Sequence, residues 1–300
     1  MTPEPRWSAV VVNYEAGDAL RDCVSTIVAD GSAGPAEIVV VDNGSGDGSV
    51  ARLLAVHPDV RVIETGANLG YAGAANRGIA ATTAPVVAVC NPDLVISQGT
   101  AAAMVRRLDD DPHLGAVGPA IFEPDGSHYP SARQVPTLRD TVGHALLGKL
   151  RPGNGFTRRY RELDRDPTLP RAVDWVSGAA IWLRRSALDE VGGWDDGYFM
   201  YVEDVDLCWR LRRAEWTIAY EPAGSVTHVQ GLSTRRHPYR MIAAHHRSLL
   251  RFAAKRWRGP KRVLLVPATL FLAGRAVVQM AASRIGRVGA PRRGRPGTAR

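Results

Sequence analysis

Residues 37–48 read EIVVVDNGSGDG, a β-branched run that ends in an acid and a Gly-Ser turn. Such a run is typical of a strand that is buried on both faces of a parallel sheet. Similar runs predict strands at residues 7–13, 60–64 and 86–90. Segments with helical spacing alternate with them at residues 18–29, 48–57 and 71–82, with Asp18 and Asp47 at helix starts. The alternation predicts an open, doubly wound α/β sheet whose ligands bind at the carboxyl ends of its strands.

The second half of the chain is less regular. Turn signals predict a hairpin and loop over residues 120–136, and the Gly- and Pro-punctuated residues 139–171 are predicted to be mobile. Strand character returns at residues 172–184 and 217–220, and helical spacing at residues 185–192 and 204–214.

Composition excludes several classes of protein. With 300 residues, 45% hydrophobic and 23% charged, the chain can bury a substantial core, which excludes disorder and collagen as the main class. Its three cysteines show no CxxC pattern, so neither a disulfide framework nor a structural zinc site is indicated. The first residues lack the pattern of a signal peptide, and a reducing cytosol is expected.

Charge is divided unevenly along the chain. Residues 1–221 carry 21 basic and all 30 acidic residues, whereas residues 222–300 carry 17 basic residues and no acid. Such a tail favours a polyanion: nucleic acid, anionic lipid headgroups or a phosphorylated substrate. A nucleic-acid-binding protein would explain the tail but would leave the acidic clusters of the body unexplained, so no nucleic-acid partner is expected.

The basic tail contains an amphipathic helix, predicted at residues 268–288. Its apolar face consists of Leu270, Phe271, Val277, Val278, Ala281, Ile285 and Val288. Pro267, Arg275 and Gln279 interrupt the run, which favours a helix lying in the membrane interface over a spanning helix. An ordinary amphipathic helix packed on the domain is the alternative. The domain prediction is a catalytic body over residues 1–235, a membrane-associating extension over residues 236–288 and a disordered tail over residues 289–300.

Two polar clusters directly follow predicted strands. Asp42 can accept hydrogen bonds from a base or ribose, or it can simply close an Asx-turn. Asn91 and Asp93, in the sequence NPD, offer oxygen ligands to a divalent cation that also binds a diphosphate, with an ordinary turn as the alternative.

A third cluster consists of Glu203, Asp204 and Asp206, at the start of a predicted helix. Capping would explain part of it, but like charges raise each other's pKa, and a general base explains the arrangement better. His228 follows later, after a predicted strand, where a satisfied surface or core histidine is the default interpretation and a ligand the alternative. The glycine-rich residues 66–78 lack GxGxxG, yet their amides, with Asn68 and Asn76, could contact a phosphate or sugar.

The combined order of motifs resembles the family 2 glycosyltransferases, inverting enzymes of the GT-A fold. The motifs are VVVNYE (10–15), VVVDNGSGDGS (39–49), NLGYAGAANRG (68–78), CNPD (90–93) and the segment from DWVSG to DLCWRL (174–211) with a later histidine. The likeness covers about residues 8–235. The stretches EPDGSHYPSARQVP (123–136) and YFMYVEDVDL (198–207) are similar to actinobacterial enzymes that add L-rhamnose from dTDP-rhamnose to N-acetylglucosaminyl-diphosphoryl-polyprenol.

The resemblance implies a role for each matching residue. Asp204, beside Glu203, becomes the catalytic base, and Asp93 with His228 the ligands of Mn²⁺ or Mg²⁺. Asn91 stands where the family often has Asp, which removes one negative charge from the metal site. The implied nucleotide-sugar contacts are Asn13, Asp42, Asn68, Gly70, Asn76 and Asn91. The predicted acceptor contacts are Arg133, Trp175, Gly178 and Trp194. Ordinary core packing is the favoured alternative for the two tryptophans, and a solvated loop charge is the alternative for Arg133.

The resemblance also implies where the protein works. A polyprenyl-diphosphate acceptor lies in a membrane and a nucleotide sugar lies in the cytosol. The expected location is therefore the cytoplasmic face of the plasma membrane, with the protein held peripherally on the inner leaflet by its basic C-terminus. Another donor, such as a galactofuranose or mannose nucleotide, and a non-catalytic sugar-nucleotide-binding protein are the alternatives.

Overall fold

The structure is a computed structural model that describes residues 5–34, 36–135, 147, 151, 153–162, 164–229 and 238–288. The chain divides into two compact units, Met1–Ser233 and Thr234–Arg300. The predicted boundary at residue 235 and the predicted disordered tail lie outside the described residues, as do parts of residues 139–171, the segment predicted to be mobile.

The elements of the first half follow the hydrophobic pattern closely. The strands are β1 (Trp7–Asn13), β2 (Glu37–Asp42), β3 (Arg61–Glu64) and β4 (Val86–Cys90), and the helices are α1 (Ala19–Asp30), α2 (Ser49–Leu54) and α3 (Gly70–Ala80). Asp47 lies just before α2, and its Oδ1 accepts the backbone N–H of Ser49 at 3.0 Å, but the N-cap position is Gly48 and no side chain caps the helix. Asp18 makes no capping hydrogen bond and pairs with Arg52 instead.

The second half has more strands than the pattern indicates. Its elements are β5 (Leu94–Ile96), α4 (Thr100–Asp110), β6 (Leu114–Phe122), β7 (His128–Tyr129), β8 (Ala132–Arg133), α5 (Gly155–Arg161), β9 (Arg171–Ala172), β10 (Trp175–Val176), β11 (Ala180–Arg184), α6 (Arg185–Glu190), α7 (Glu203–Arg213) and β12 (Thr217–His228). The predicted hairpin is present, since β6 and β7 pair antiparallel.

One strand prediction is wrong in length. Residues 217–220 begin β12, but this strand continues to His228. The sequence EPAG at residues 221–224 looks like the end of a strand because it holds Pro and Gly. In the structure this sequence forms a β-bulge between Glu221 and Ser225, and β12 pairs with β6 again from Ser225 onward.

The main sheet is mixed and mostly parallel. Its order is β3-β2-β1-β4-β11-β6-β12-β5. The strands β1 to β4 at one side pair in parallel, and so do β6 and β12. Between these two groups, β11 runs antiparallel to both β4 and β6. Apolar side chains on the two sheet faces pack into two cores beneath the helices. The predicted fold class, a mostly parallel sheet flanked by helices, is confirmed.

The C-terminal unit consists of α8 (Pro238–Arg256), a 3-10 helix (Gly259–Leu264) and α9 (Leu265–Val288). Residues 259–281 are long and apolar enough to cross a bilayer, with a mean hydropathy of 1.7, and none of that window is buried. The predicted apolar face of α9 is exposed: Leu270 is 71% exposed, and Val277 and Val278 are each 67% exposed.

The polar side of α9 lies toward α8. The two helices pack together, and Arg275 of α9 is close enough to His245 of α8 to affect its ionisation. Burial, then His246 and then the charge of Arg275 lower the pKa of His245 to about 4. A helix in water normally buries its apolar stripe and exposes its polar one, so this arrangement is the reverse of a soluble helix pair.

Candidate active site

Asp42 is fixed at the end of β2 by a network of hydrogen bonds. Asn13, at the end of neighbouring β1, donates from Nδ2 to Asp42 Oδ1 at 2.7 Å and to Ser49 Oγ at 2.9 Å. The backbone N–H of Ser45 donates to Asp42 Oδ2 at 3.0 Å, so the carboxylate does close the turn after the strand. Each oxygen keeps a further lone pair, and the nucleotide contacts of Asp42 and Asn13 remain predictions.

Asn43 organises the next loop, and the sequence analysis missed it. Its buried amide donates to Asn68 Oδ1 and to the carbonyl of Gly70, both at 3.1 Å, and accepts the N–H of Leu69 at 2.8 Å. The signal for Asn43 was its position beside Asp42 at a strand end. The structure therefore ties the glycine-rich segment to the tip of β2.

Gly70 and Asn76 hold α3 against the segment that leads to the acidic cluster. Gly70 has φ +80°, and a Cβ there would lie 2.5 Å from the carbonyl oxygen of Phe199. The next N–H, that of Tyr71, donates to the same oxygen at 2.9 Å. The amide of Asn76 pairs with both the N–H and the carbonyl of Trp194, at 2.9 and 2.8 Å. These contacts give both residues a structural role, and their nucleotide contacts remain predictions.

Asn91, Asp93 and His228 come together from distant parts of the chain. Asp93 Oδ1 lies 3.0 Å from His228 Nε2, and Asn91 Nδ2 lies 3.2 Å from the same nitrogen. Asp93 is 8% exposed. His228 reaches this place because β12 continues past its bulge and pairs with β5, where His228 lies opposite Leu94.

These three side chains suit a divalent cation. Carboxylate oxygen, amide oxygen and imidazole nitrogen are donors that Mn²⁺ accepts, and turning the Asn91 amide presents its oxygen. Among the described residues, no group of three or more His, Cys, Asp and Glu side chains could hold a metal ion. The site therefore offers two strong ligands and one amide, and the remaining positions would be filled by oxygens of a substrate or water.

Asp204 is held by the backbone on both sides. The N–H of Gly178 donates to Oδ2 at 2.9 Å and that of Val205 to Oδ1 at 2.8 Å. A Cβ on Gly178 would lie 3.1 Å from the Asp204 Cβ, so a larger residue would crowd the carboxylate. Burial raises the pKa of Asp204, and the two backbone hydrogen bonds partly oppose that shift. A carboxylate with a raised pKa and fixed direction suits a general base.

Glu203 is the more buried of the two neighbouring acids. It is 8% exposed, and its Oε2 has no hydrogen-bond partner. Burial first, and the charge of Asp204 second, raise its pKa to about 8. At neutral pH Glu203 is therefore mostly protonated, which leaves Asp204 as the negative charge of the pair.

Asp206 has a different role from its neighbours. Its side chain is fully buried and pairs with Arg210 at 2.8 Å and with the hydroxyl of Tyr198 at 3.1 Å. Arg210 also donates to the carbonyls of Val191 and Gly193, both at 2.7 Å. The third acid thus anchors α7 to the preceding loop.

The backbone just before the acids is strained. Tyr201 and Val202 have φ +67° and +70°, consecutive left-handed residues without glycine. The left-handed region costs an L-residue about 1–2 kcal/mol, and a β-branched residue such as Val202 rarely occupies it. This turn aims the first residues of α7, and strain of this kind is concentrated at functional sites.

The predicted acceptor residues lie close to Asp204 but are largely buried. The guanidinium of Arg133 lies 5.0 Å from the Trp175 ring, and Trp175 donates to the carbonyl of Gln134 at 3.3 Å. Trp194 is 2% exposed and packs edge-on against Tyr71, with ring centroids 5.7 Å apart. Core packing accounts for both tryptophans, so their sugar contacts remain predictions.

One short segment, residues 178–179, connects the cluster of Asn91, Asp93 and His228 to Asp204. The carbonyl of Gly178 accepts the Tyr71 hydroxyl at 2.6 Å, while its N–H holds Asp204. The next residue, Ala179, accepts the N–H of Asn91 at 2.8 Å. Burial raises the pKa of Tyr71, and the charges of Cys90, Glu203, Asp204 and Asp93 raise it further. Hydrogen bonds thus connect the segment around Gly178 to both Asn91 and Asp204, and Asn43 connects the strand end at Asp42 to Gly70. A single site shared by Asp42, Asp93 and Asp204 remains a prediction.

Residues 8–192 match the family described as glycosyl transferase family 2. The chain belongs to this family. This glycosyltransferase is 40% identical over 268 residues to N-acetylglucosaminyl-diphospho-decaprenol L-rhamnosyltransferase of Mycobacterium tuberculosis. The match covers 84% of this chain and 87% of the relative. It is also 33% identical over 211 residues to the pre-mycofactocin glycosyltransferase of the same organism, covering 70% of this chain and 38% of that protein.

Solved structures support the fold of the glycosyltransferase. A mannosyltransferase from Pyrobaculum calidifontis in complex with GDP-mannose and Mn²⁺ superposes with a TM-score of 0.57 at 19% identity, over 95% of this chain and 76% of that one. GalNAc-T7 with UDP, GalNAc and Mn²⁺ gives a TM-score of 0.56 at 15% identity, over 80% of this chain and 48% of that one. At these identities the likeness establishes the fold alone.

Proposed function

We propose that this glycosyltransferase moves L-rhamnose from dTDP-rhamnose to N-acetylglucosamine carried on a polyprenyl diphosphate, with inversion at the anomeric carbon. The observation that carries the proposal is the 40% identity to the mycobacterial L-rhamnosyltransferase, which extends over 84% of this chain. The arrangement of Asp204, Asp93 and His228 around the 178–179 segment supports it.

The reaction needs a base on one side of the sugar. In the proposal, Asp204 accepts the proton of the acceptor hydroxyl while that oxygen attacks the anomeric carbon from the face opposite the nucleoside diphosphate. One displacement inverts the configuration. The N–H groups of Gly178 and Val205 keep the carboxylate in position, and protonated Glu203 keeps a second negative charge away from it.

Asp93, His228 and Asn91 would hold the divalent cation, Mn²⁺ or Mg²⁺. A cation bound there neutralises the diphosphate that leaves with the nucleoside. Asp93 Oδ1 and His228 Nε2 lie 3.0 Å apart. In the proposal, these two side chains define where the diphosphate binds. Asp42 and Asn13, at the neighbouring strand ends, would orient the nucleoside.

The proposal places the protein on the cytoplasmic face of the plasma membrane, held peripherally. The acceptor would be lipid-borne, and the exposed apolar face of α9 together with 17 basic residues after position 221 suits an anionic bilayer surface.

Thermal-shift measurements test the donor. We expect dTDP-rhamnose, with Mn²⁺ or Mg²⁺, to raise the melting temperature more than UDP-galactofuranose or GDP-mannose, because ligand binding stabilises the folded state by mass action. Transfer to a short-chain N-acetylglucosaminyl-diphosphoryl-prenol, followed by mass, then tests the reaction. Selective stabilisation and turnover with another nucleotide sugar would reject rhamnose as the donor, and binding without turnover would indicate a non-catalytic protein.

A further inference from the structure

A basic cleft lies at the junction of α8 with the 3-10 helix that follows. Its volume is about 340 Å³, which is in the range of small-molecule sites. The residues that line it are Ala254, Lys255, Trp257, Arg258, Gly259 and Arg262. We call this site the elbow cleft. These six lining residues lie within one nine-residue stretch of the C-terminal unit, residues 254–262.

The charge of the elbow cleft is not neutralised by its own unit. Residues 255–262 read KRWRGPKR and hold five basic residues. The chain has no Asp or Glu after Glu221, so no acidic side chain of the C-terminal unit offsets the charge of Arg258 and Arg262. Arg258 and Arg262 are exposed, and each carries a planar fork of donors that matches the oxygens of a phosphate.

The surroundings of the cleft change polarity over a short distance. Just beyond it, Val263, Val266 and Leu270 are 71%, 65% and 71% exposed. A cationic site followed at once by an exposed apolar face matches the boundary between phosphate headgroups and acyl chains. Trp257, an aromatic ring with a polar N–H, is the type of residue that occurs at this depth.

We propose that the elbow cleft binds the phosphate of an anionic phospholipid headgroup, with Arg258 and Arg262 as the fork donors. The inference deepens the peripheral membrane location proposed above and rests on it. Charge complementarity favours this ligand, and the adjoining apolar face favours a lipid over a nucleic acid, which would need a polar surface around the cations. The headgroup fixes the depth at which α9 enters the interface.

The test measures binding of the full chain to vesicles. Wild type and Arg258→Ala/Arg262→Ala are co-sedimented with phosphatidylcholine vesicles, with and without phosphatidylglycerol. Each basic residue at an anionic surface contributes about 1 kcal/mol, so we expect the double variant to bind the phosphatidylglycerol vesicles about 30-fold more weakly. Binding to pure phosphatidylcholine should hardly change.

Two further variants separate a phosphate site from general attraction. Arg240→Ala/Arg247→Ala removes the same charge from exposed positions of α8, and we expect it to lose less than about threefold. Arg258→Lys/Arg262→Lys keeps the charge but removes the forks, and we expect a loss of about fivefold. The assignment of the cleft as a phosphate site would be overturned if the two alanine pairs lost vesicle binding equally, or if the lysine pair lost none.

Other ligands would give different results. The protein could bind phosphatidylcholine vesicles that contain a trace of polyprenyl diphosphate as tightly as it binds phosphatidylglycerol vesicles. That result would assign the cleft to the lipid-borne acceptor and overturn the proposal. Tighter binding to duplex DNA than to vesicles at equal salt would do the same. Transfer to a short-chain soluble acceptor should be unchanged in all variants, so a failure of the cleft is distinguishable from a failure of the proposed function.

Discussion

At the scale of single residues, the three acids at the start of α7 have separate tasks that their spacing does not reveal. Asp206 is in a buried ion pair, Glu203 is mostly protonated, and Asp204 is aimed by two N–H groups. The sequence predicts that one of the three is a base because like charges are costly together. Which one could not be derived from spacing, since the partners Gly178 and Arg210 act through the fold.

Asp204→Asn should lower kcat by a factor of about 10²–10⁴ while nucleotide binding survives, because the amide keeps the shape but accepts no proton. Steady-state transfer and calorimetric binding of the nucleotide measure the two effects. Asp196→Asn makes the same change at an exposed position of the preceding loop and should leave both unchanged. Near-normal turnover of Asp204→Asn would remove this residue from the mechanism.

Glu203 should make folding pH-dependent in an unusual direction. Because its pKa is raised to about 8 in the folded protein, it stays protonated there while the unfolded chain has already lost the proton. The free energy of unfolding should therefore fall by about 1.4 kcal/mol per pH unit between pH 4.5 and 8 from this group.

Thermal unfolding of wild type and Glu203→Gln at pH 5.5 and pH 8 measures this contribution. Glutamine cannot ionise, so the variant should gain stability relative to wild type as the pH rises. Parallel pH profiles for the two proteins would show that Glu203 is ionised in the folded state.

Asp93→Asn and His228→Gln should each weaken the Mn²⁺-dependent part of nucleotide binding by at least about 10-fold, because each removes a ligand or its partner. Titrating the nucleotide with Mn²⁺ and with EDTA measures that part. The matched controls are Asp59→Asn and His113→Gln, both exposed and located before the first residues of β3 and β6, not at the carboxyl ends of strands. If EDTA has no effect on nucleotide binding by wild type, the proposed metal role of Asp93 and His228 is wrong.

At the scale of elements, the first four strands and three helices were predictable, since alternating apolar runs decide them locally. β12 was not, because a Pro and a Gly within it look like a turn and the pairing that overrides them comes from β6, a hundred residues earlier. His228 was therefore placed after a strand and not at its end. Asn91 and Asp93 were predicted as cation ligands from their place after a strand, and His228 was added to them only by the family resemblance. The bulged strand explains how this histidine meets Asp93.

Gly70→Ala should be far more damaging than Gly66→Ala. Both glycines have a positive φ, +80° and +74°, and both substitutions pay the left-handed cost of about 1 kcal/mol. Only at residue 70 does the new Cβ meet the Phe199 backbone, which adds overpacking of about 2 kcal/mol; at residue 66 nothing lies within 4 Å. Denaturant unfolding compares them, and equal losses would mean that α3 does not depend on this contact.

At the scale of the whole molecule, the division of charge was readable from the sequence alone: 30 acids lie before residue 222 and none after it. The amphipathic pattern of the C-terminal helix was also readable. Its orientation was not, because a helical wheel cannot say which face packs on a neighbour. Leu272 and Met280 break the predicted pattern, and both are half-buried with Arg275, on the less exposed side of α9.

Ending the chain after residue 258 should release the protein from anionic vesicles, because it removes α9 with its exposed apolar face. Co-sedimentation compares it with the full chain, and transfer to a soluble acceptor shows that the remaining protein is folded. A full-length Leu270→Gln/Val277→Gln variant should bind more weakly as well. Unchanged co-sedimentation after the cut would show that α9 is not the membrane contact.

The left-handed pair at Tyr201 and Val202 has a consequence for the history of this chain under selection. Val202 holds a costly backbone conformation two residues before Asp204, the proposed base, so selection for stability alone would favour a residue that relaxes it. We expect selection for thermal stability alone to favour glycine at position 202. Turnover should then fall, because the segment before Asp204 would be less rigid.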